Sequence, residues 1–115
     1  MKKLTWLADS RSSVKSFPAG VQDEIGYALH VAQMGGMSVN AKPLHGLGGG
    51  VMEIASHDAS GTYRAVYTVS LGDSIYVIHA FQKKSKAGVA TPKYEIELIR
   101  RRLKQLLREV KNAEK

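Results

Sequence analysis

The chain has no cysteine among its 115 residues. A disulfide framework, a thiolate metal site and a thiolate nucleophile are therefore excluded, and the absence fits a reducing cytoplasm. Long apolar runs are missing as well: no window approaches the roughly 18 apolar residues that a membrane span needs. The amino-terminal stretch MKKLTWLADSRSS carries two lysines, but its apolar run stops at Asp9, too soon for the hydrophobic region of a signal peptide. Neither an internal repeat nor a linker interrupts the chain. Residues 1–115 are expected to form one domain, in the cytoplasm and away from membranes.

What is present is the composition of a globular protein with a real core, 43% hydrophobic and 23% charged. The charge is unevenly placed. Residues 1–82 carry six basic and six acidic groups, whereas residues 83–115 carry 11 basic and four acidic, so the whole excess of +7 lies in the last third. Such polarity attracts polyanions, nucleic acid or an acidic protein, although a basic excess also serves solubility.

The apolar periodicity divides the chain. KKLTWLA reads as a short first strand ending at Asp9, and DSRSSVKSF as a short helix that stops before Pro18. Val21, Ile25, Ala28, Leu29 and Ala32 recur at helical spacing, predicting a second helix over about 18–34 that pairs with the first as a hairpin, with the glycines of MGGM as its cap. After the turn-rich NAKPLHGLGGG come VMEIASH, TYRAVYTVSL and SIYVIHAFQKK, three β-rich runs separated by DASG and GD. They predict an antiparallel meander. From Pro92 onward Ile96, Ile99, Leu103, Leu106, Leu107 and Val110 mark an amphipathic helix, with Arg100, Arg101, Arg102, Lys104 and Arg108 on its other faces. The expected class is α+β, in the order β-α-α-β-β-β-α: a small twisted, antiparallel-rich sheet with an N-terminal helical hairpin, a C-terminal helix, and one face partly open.

Most catalytic signatures are lacking. GLGGG precedes a strand, so no helix N-terminus is there to meet a phosphate. His30, His45, His57 and His79 have no paired metal-ligand spacing, and no metal site is expected. No Ser, His and Asp arrangement or carboxylate pair stands out. What remains are cations on strands. Alternation puts Arg64 on one face with Thr62, Val66 and Thr68. It can pair with a carboxylate such as Glu53 or Asp58 across the strands, or bind phosphate through its planar fork. His79 shares a face with Lys83, at a strand end where Lys84 and Lys86 follow; a lone strand histidine is commonly a packed core group. His57, Tyr63, Tyr67 and Tyr94 are weaker candidates.

Arg64 and the lysine cluster, read with KPLHGLGGGVMEI, GTYRAVY and HAFQKKSKAGVATPKYEIELIRRR, resemble the RelE/ParE toxin superfamily, most closely its phage-related HigB-like branch. The similar stretches span residues 42–102. The resemblance implies a type II toxin: a ribosome-dependent endoribonuclease that cleaves translated mRNA by 2′-hydroxyl attack on the adjacent phosphate, with no metal and no cofactor. Carried onto this chain, it implies Arg64, Lys83, Lys84 and His79 as catalytic residues, with His79 either catalytic or structural. Lys86, Lys93, Arg100 and Arg101 are implied in RNA binding. The implied partners are a cognate helix-turn-helix antitoxin, the ribosome and mRNA, with DNA reached only through the antitoxin. Two departures stand out. The basic residue that many relatives carry soon after the strand glutamate is absent from EIASHDAS, and SKAGVATPK is longer than the common connection. The general base stays open among His57, His79 and Tyr94, since an ordinary histidine titrates near 6.5. The resemblance also admits a ParE-like inhibitor of DNA gyrase that performs no chemistry, or an inactive nucleic-acid- or antitoxin-binding module.

Overall fold

A computed structural model describes residues 1–83 and 91–113. The elements run β1 (Lys3–Trp6), α1 (Ser10–Lys15), α2 (Ala19–Gln33), β2 (Ala41–Pro43), β3 (Val51–Asp58), β4 (Gly61–Thr68), β5 (Ser74–Lys83) and α3 (Lys93–Ala113). The α+β class and the helix and strand order agree with the pattern in the sequence, with one addition. The segment expected to be only turns contains β2, a three-residue strand that pairs antiparallel with β3 and forms the sheet edge. Its side chains, Ala, Lys and Pro, carry no β-rich signal, so its pairing comes from tertiary context.

The five strands lie in the order β1-β5-β4-β3-β2. β2 to β5 are antiparallel neighbours, and β1 closes the other edge parallel to β5. α1 and α2 carry the chain from β1 to β2 at the opposite edge, and β5 comes back beside β1 only after β2, β3 and β4. Both helices lie on one side of the sheet, α1 against β5 and α2 across β3 and β5. α2 buries Val21, Ile25, Ala28, Leu29 and Ala32, the residues whose spacing marks it as a helix. It ends where Gly35, at φ +89, takes a conformation that favours glycine, and Gly36 N–H returns to the Val31 carbonyl. The core on this side joins them to Ile54, Ala65, Tyr67, Ile75 and Val77.

The second face was expected to be partly open. α3 covers part of it, with Ile99 and Leu103 packing on Val51, Val66 and Ile78 beside Leu47. A bulge in β5 prepares that contact. Val66 pairs with His79 but Tyr67 pairs with Val77, so Ile78 is an extra residue. Val77 packs on the α1/α2 side, whereas Ile78 and His79 both meet α3. Everything after the bulge has changed face relative to Ile75 and Val77. Phe81 and Lys83 therefore join Arg64.

Candidate active site

Strand register brings the polar side chains of the α3 face into rows. His57 lies opposite Thr62, which lies opposite Lys83. The next row is Ala55, Arg64 and Phe81; the third is Lys42, Glu53, Val66 and His79. Arg64, His79 and Lys83 are thus brought to one face, although they come from positions up to 19 residues apart along two strands.

Arg64 is only 5% exposed and Glu53 only 1%. Arg64 Nη1 donates to Glu53 Oε1 at 2.6 Å, and the Thr91 hydroxyl donates to Glu53 Oε2, also at 2.6 Å. Between the two partners open to Arg64 in the sequence, the structure selects Glu53. Asp58 stays exposed at its own hairpin turn, where the hydroxyl and backbone N–H of Ser60 both donate to it. Those bonds, the hydroxyl first, hold the Asp58 carboxyl below its ordinary value of 3.8. A buried carboxylate needs compensation for lost hydration. Glu53 receives it from β4 and from the residue just before Pro92, so it fixes the guanidinium and the approach to α3 together.

His79 is held from both sides by α3. Arg102 Nη1 lies 3.2 Å from Nδ1, and Glu95 Oε1 lies 3.2 Å from Nε2. Arginine is a donor only, so Nδ1 accepts and Nε2 carries the proton that goes to Glu95. Neither ring nitrogen is left with an open lone pair, and the ring stacks on Phe81 with centroids 5.2 Å apart. His79 is a strut for α3. Arg102 also donates to the Ile78 carbonyl at 3.0 Å and pairs with Asp9 at 2.9 Å. Read from the sequence as part of an outward basic face, it points inward and ties α3 to β5 and to the turn before α1.

His57 is different. It is exposed, and its Nδ1 lies 2.9 Å from Thr62 Oγ1, in the same row as Lys83. Lys83, the last residue of β5, is 8% exposed. Lys84 and Lys86 lie outside the described residues. Lys93, Arg100 and Arg101 are exposed on α3, and Arg100 Nη1 reaches the Gly46 carbonyl at 3.4 Å. Tyr94, one of the three groups open as general base, is also exposed on the first turn of α3. Among the described residues no cluster of three or more His, Asp or Glu side chains could hold a metal ion. No described helix is long and apolar enough to cross a membrane.

A profile of the phage-derived Gp49-like proteins matches residues 12–104. The chain belongs to the Gp49-like family. Among solved structures, this Gp49-like chain is similar to the isolated RelE toxin of E. coli, with a TM-score of 0.56 and 17% identity over 88% of this chain and 98% of that one. The Gp49-like fold is therefore RelE-like. Among curated proteins no match was found. The Gp49 match spans α1 through the middle of α3 and so includes all three rows.

Thr91, Arg102 and Lys42 were missed as members of the site. Thr91 reads as part of a Thr-Pro turn. Lys42 had no strand to stand on until β2 was known, although it begins the KPLHGL stretch.

Proposed function

We propose that this Gp49-like protein is the toxin of a toxin–antitoxin pair and a metal-independent endoribonuclease that cleaves translated mRNA. The observation that carries the reading is the row of His57, Thr62 and Lys83 with Arg64 in the adjoining row: one group able to take a proton and two cations on the same face. Further support comes from the RelE-like fold, since the similar solved structure is that of a toxin.

The chemistry needs positioning and charge. With Nδ1–H donating to Thr62, His57 Nε2 keeps a lone pair and accepts the 2′-hydroxyl proton. The O2′–P bond forms as the P–O5′ bond breaks, giving a 2′,3′-cyclic phosphate and a 5′-hydroxyl. Lys83, with Lys84 beyond it, binds the scissile phosphate and delivers the proton to the departing 5′ oxygen. Arg64 stabilises charge on the phosphoryl oxygens, its fork oriented by Glu53. His79 positions α3 and takes no proton. Lys86, Lys93, Arg100 and Arg101 extend the contact along the RNA backbone or to ribosomal RNA. A cognate antitoxin opposes the activity.

Expression in growing cells tests the proposal. Growth should stop, with new ends in translated messages, and Lys83→Ala with Lys84→Ala should restore growth from a folded protein. Arrest with intact messages and altered DNA supercoiling would instead support a gyrase inhibitor.

A further inference from the structure

Beside Glu53 a groove of about 440 Å³ opens between the β2 edge and the start of α3, lined by Lys42, Pro43, Leu44, His45, Glu53, Thr91 and Ile96. Its size lies within the roughly 300–1,000 Å³ typical of small-molecule sites. Lys42 stands directly opposite Glu53 in the register, where a lysine and a glutamate would ordinarily pair. They do not, because Arg64 and Thr91 each occupy one oxygen of that carboxylate. Lys42 and His45 are exposed, and among the described residues neither makes an ion pair or side-chain hydrogen bond. The groove thus has a cationic mouth at Lys42 and His45, apolar walls at Leu44 and Ile96, and the buried Glu53 at its floor.

We infer that this groove binds a nucleotide of single-stranded RNA, with Lys42 as its phosphate-binding residue; the inference rests on the RNA-cleaving reading above. The base lies between the apolar side chains of Leu44 and Ile96. The phosphate meets Lys42 and His45 at the mouth. Because Glu53 is shared with Arg64, the groove receives a nucleotide next to the scissile phosphate.

The test uses the full chain and a 2′-O-methyl RNA tetranucleotide, which lacks the attacking hydroxyl and so reports binding alone. Amide shifts in a nitrogen-15 titration should centre on Leu44, Glu53 and Ile96. Lys42→Ala should weaken binding about tenfold, the order of one charge-assisted contact. It should also reduce the salt dependence by about 0.7 in log–log slope, the value of one single-strand phosphate. His45→Ala should weaken binding less, and Lys104→Ala on exposed α3 should leave these shifts in place. Failure of the wild type to bind, shifts confined to α3, or unchanged affinity and salt slope in Lys42→Ala would overturn the inference. A protein that binds the tetranucleotide here but leaves translated messages intact refutes the ribonuclease and supports the groove. One that cuts messages while Lys42→Ala binds normally refutes the groove alone.

Discussion

The two faces of the sheet are built from the same strands and do opposite things. Toward α1 and α2 the inward residues are apolar almost throughout, with Ile54, Ala65, Ile75 and Val77 at 0% exposure. Toward α3, Glu53, Arg64, His79 and Lys83 are buried or nearly so among Val66, Ile78 and Phe81. Burial of that many polar groups costs stability unless each is compensated. Here the compensation is specific: Glu53 binds Arg64 and Thr91, and His79 binds Glu95 and Arg102. One face stabilises by area, the other spends part of that stability on holding charge in place. The difference is what the proposed active face requires of a small domain.

Changes at four positions break or sharpen this contrast. Glu53→Ala should have the largest effect, about 3–5 kcal/mol from leaving Arg64 buried without its carboxylate, read by urea denaturation; Glu53→Gln should cost less because it keeps the shape and an acceptor. On the opposite face, Ile54→Ala should cost about 2–5 kcal/mol by cavity formation and leave RNA cleavage by the remaining folded protein unchanged. His57→Gln should do the reverse: stability within about 0.5 kcal/mol of wild type, as for an exposed site, and message cleavage down at least about a hundredfold. The smallest effect belongs to Asp58. Its folded pKa lies below the ordinary value, so its contribution to stability is present above the unfolded pKa and lost as pH falls through the folded one. Ser60→Ala should move the Asp58 carboxyl titration, followed by carbon-13 NMR, back toward the ordinary range.

The apolar face was legible because its signals are periodic. The spacing of Val21, Ile25 and Leu29 and the alternation of Tyr63, Ala65 and Tyr67 each identify an element and its buried side. The polar face was legible in its members and less so in their arrangement. Arg64 stood out as a charge within a strand, and Glu53 was one of its two open partners. Yet strict alternation from Ile75 and Val77 carries His79, Phe81 and Lys83 to the α1/α2 side, and only the extra residue Ile78 turns them toward Arg64. A bulge is set by pairing between strands, which no local pattern reports. For the same reason Lys42 was missed and Arg102 misread: β2 is held by its neighbour, and the side of α3 that faces β5 depends on how the helix docks. Lys84 and Lys86, central to the sequence reading, lie outside the described residues.

Whether the polar face cleaves RNA is tested most directly by mapping 2′,3′-cyclic phosphate ends on two copies of one message, one translated and one without a start codon, in cells producing the protein. New ends are expected within the translated copy only, and they should vanish with His57→Gln and with Lys83→Ala joined to Lys84→Ala while the folded protein persists. Growth arrest without such ends, or the same ends in both variants, would contradict the account.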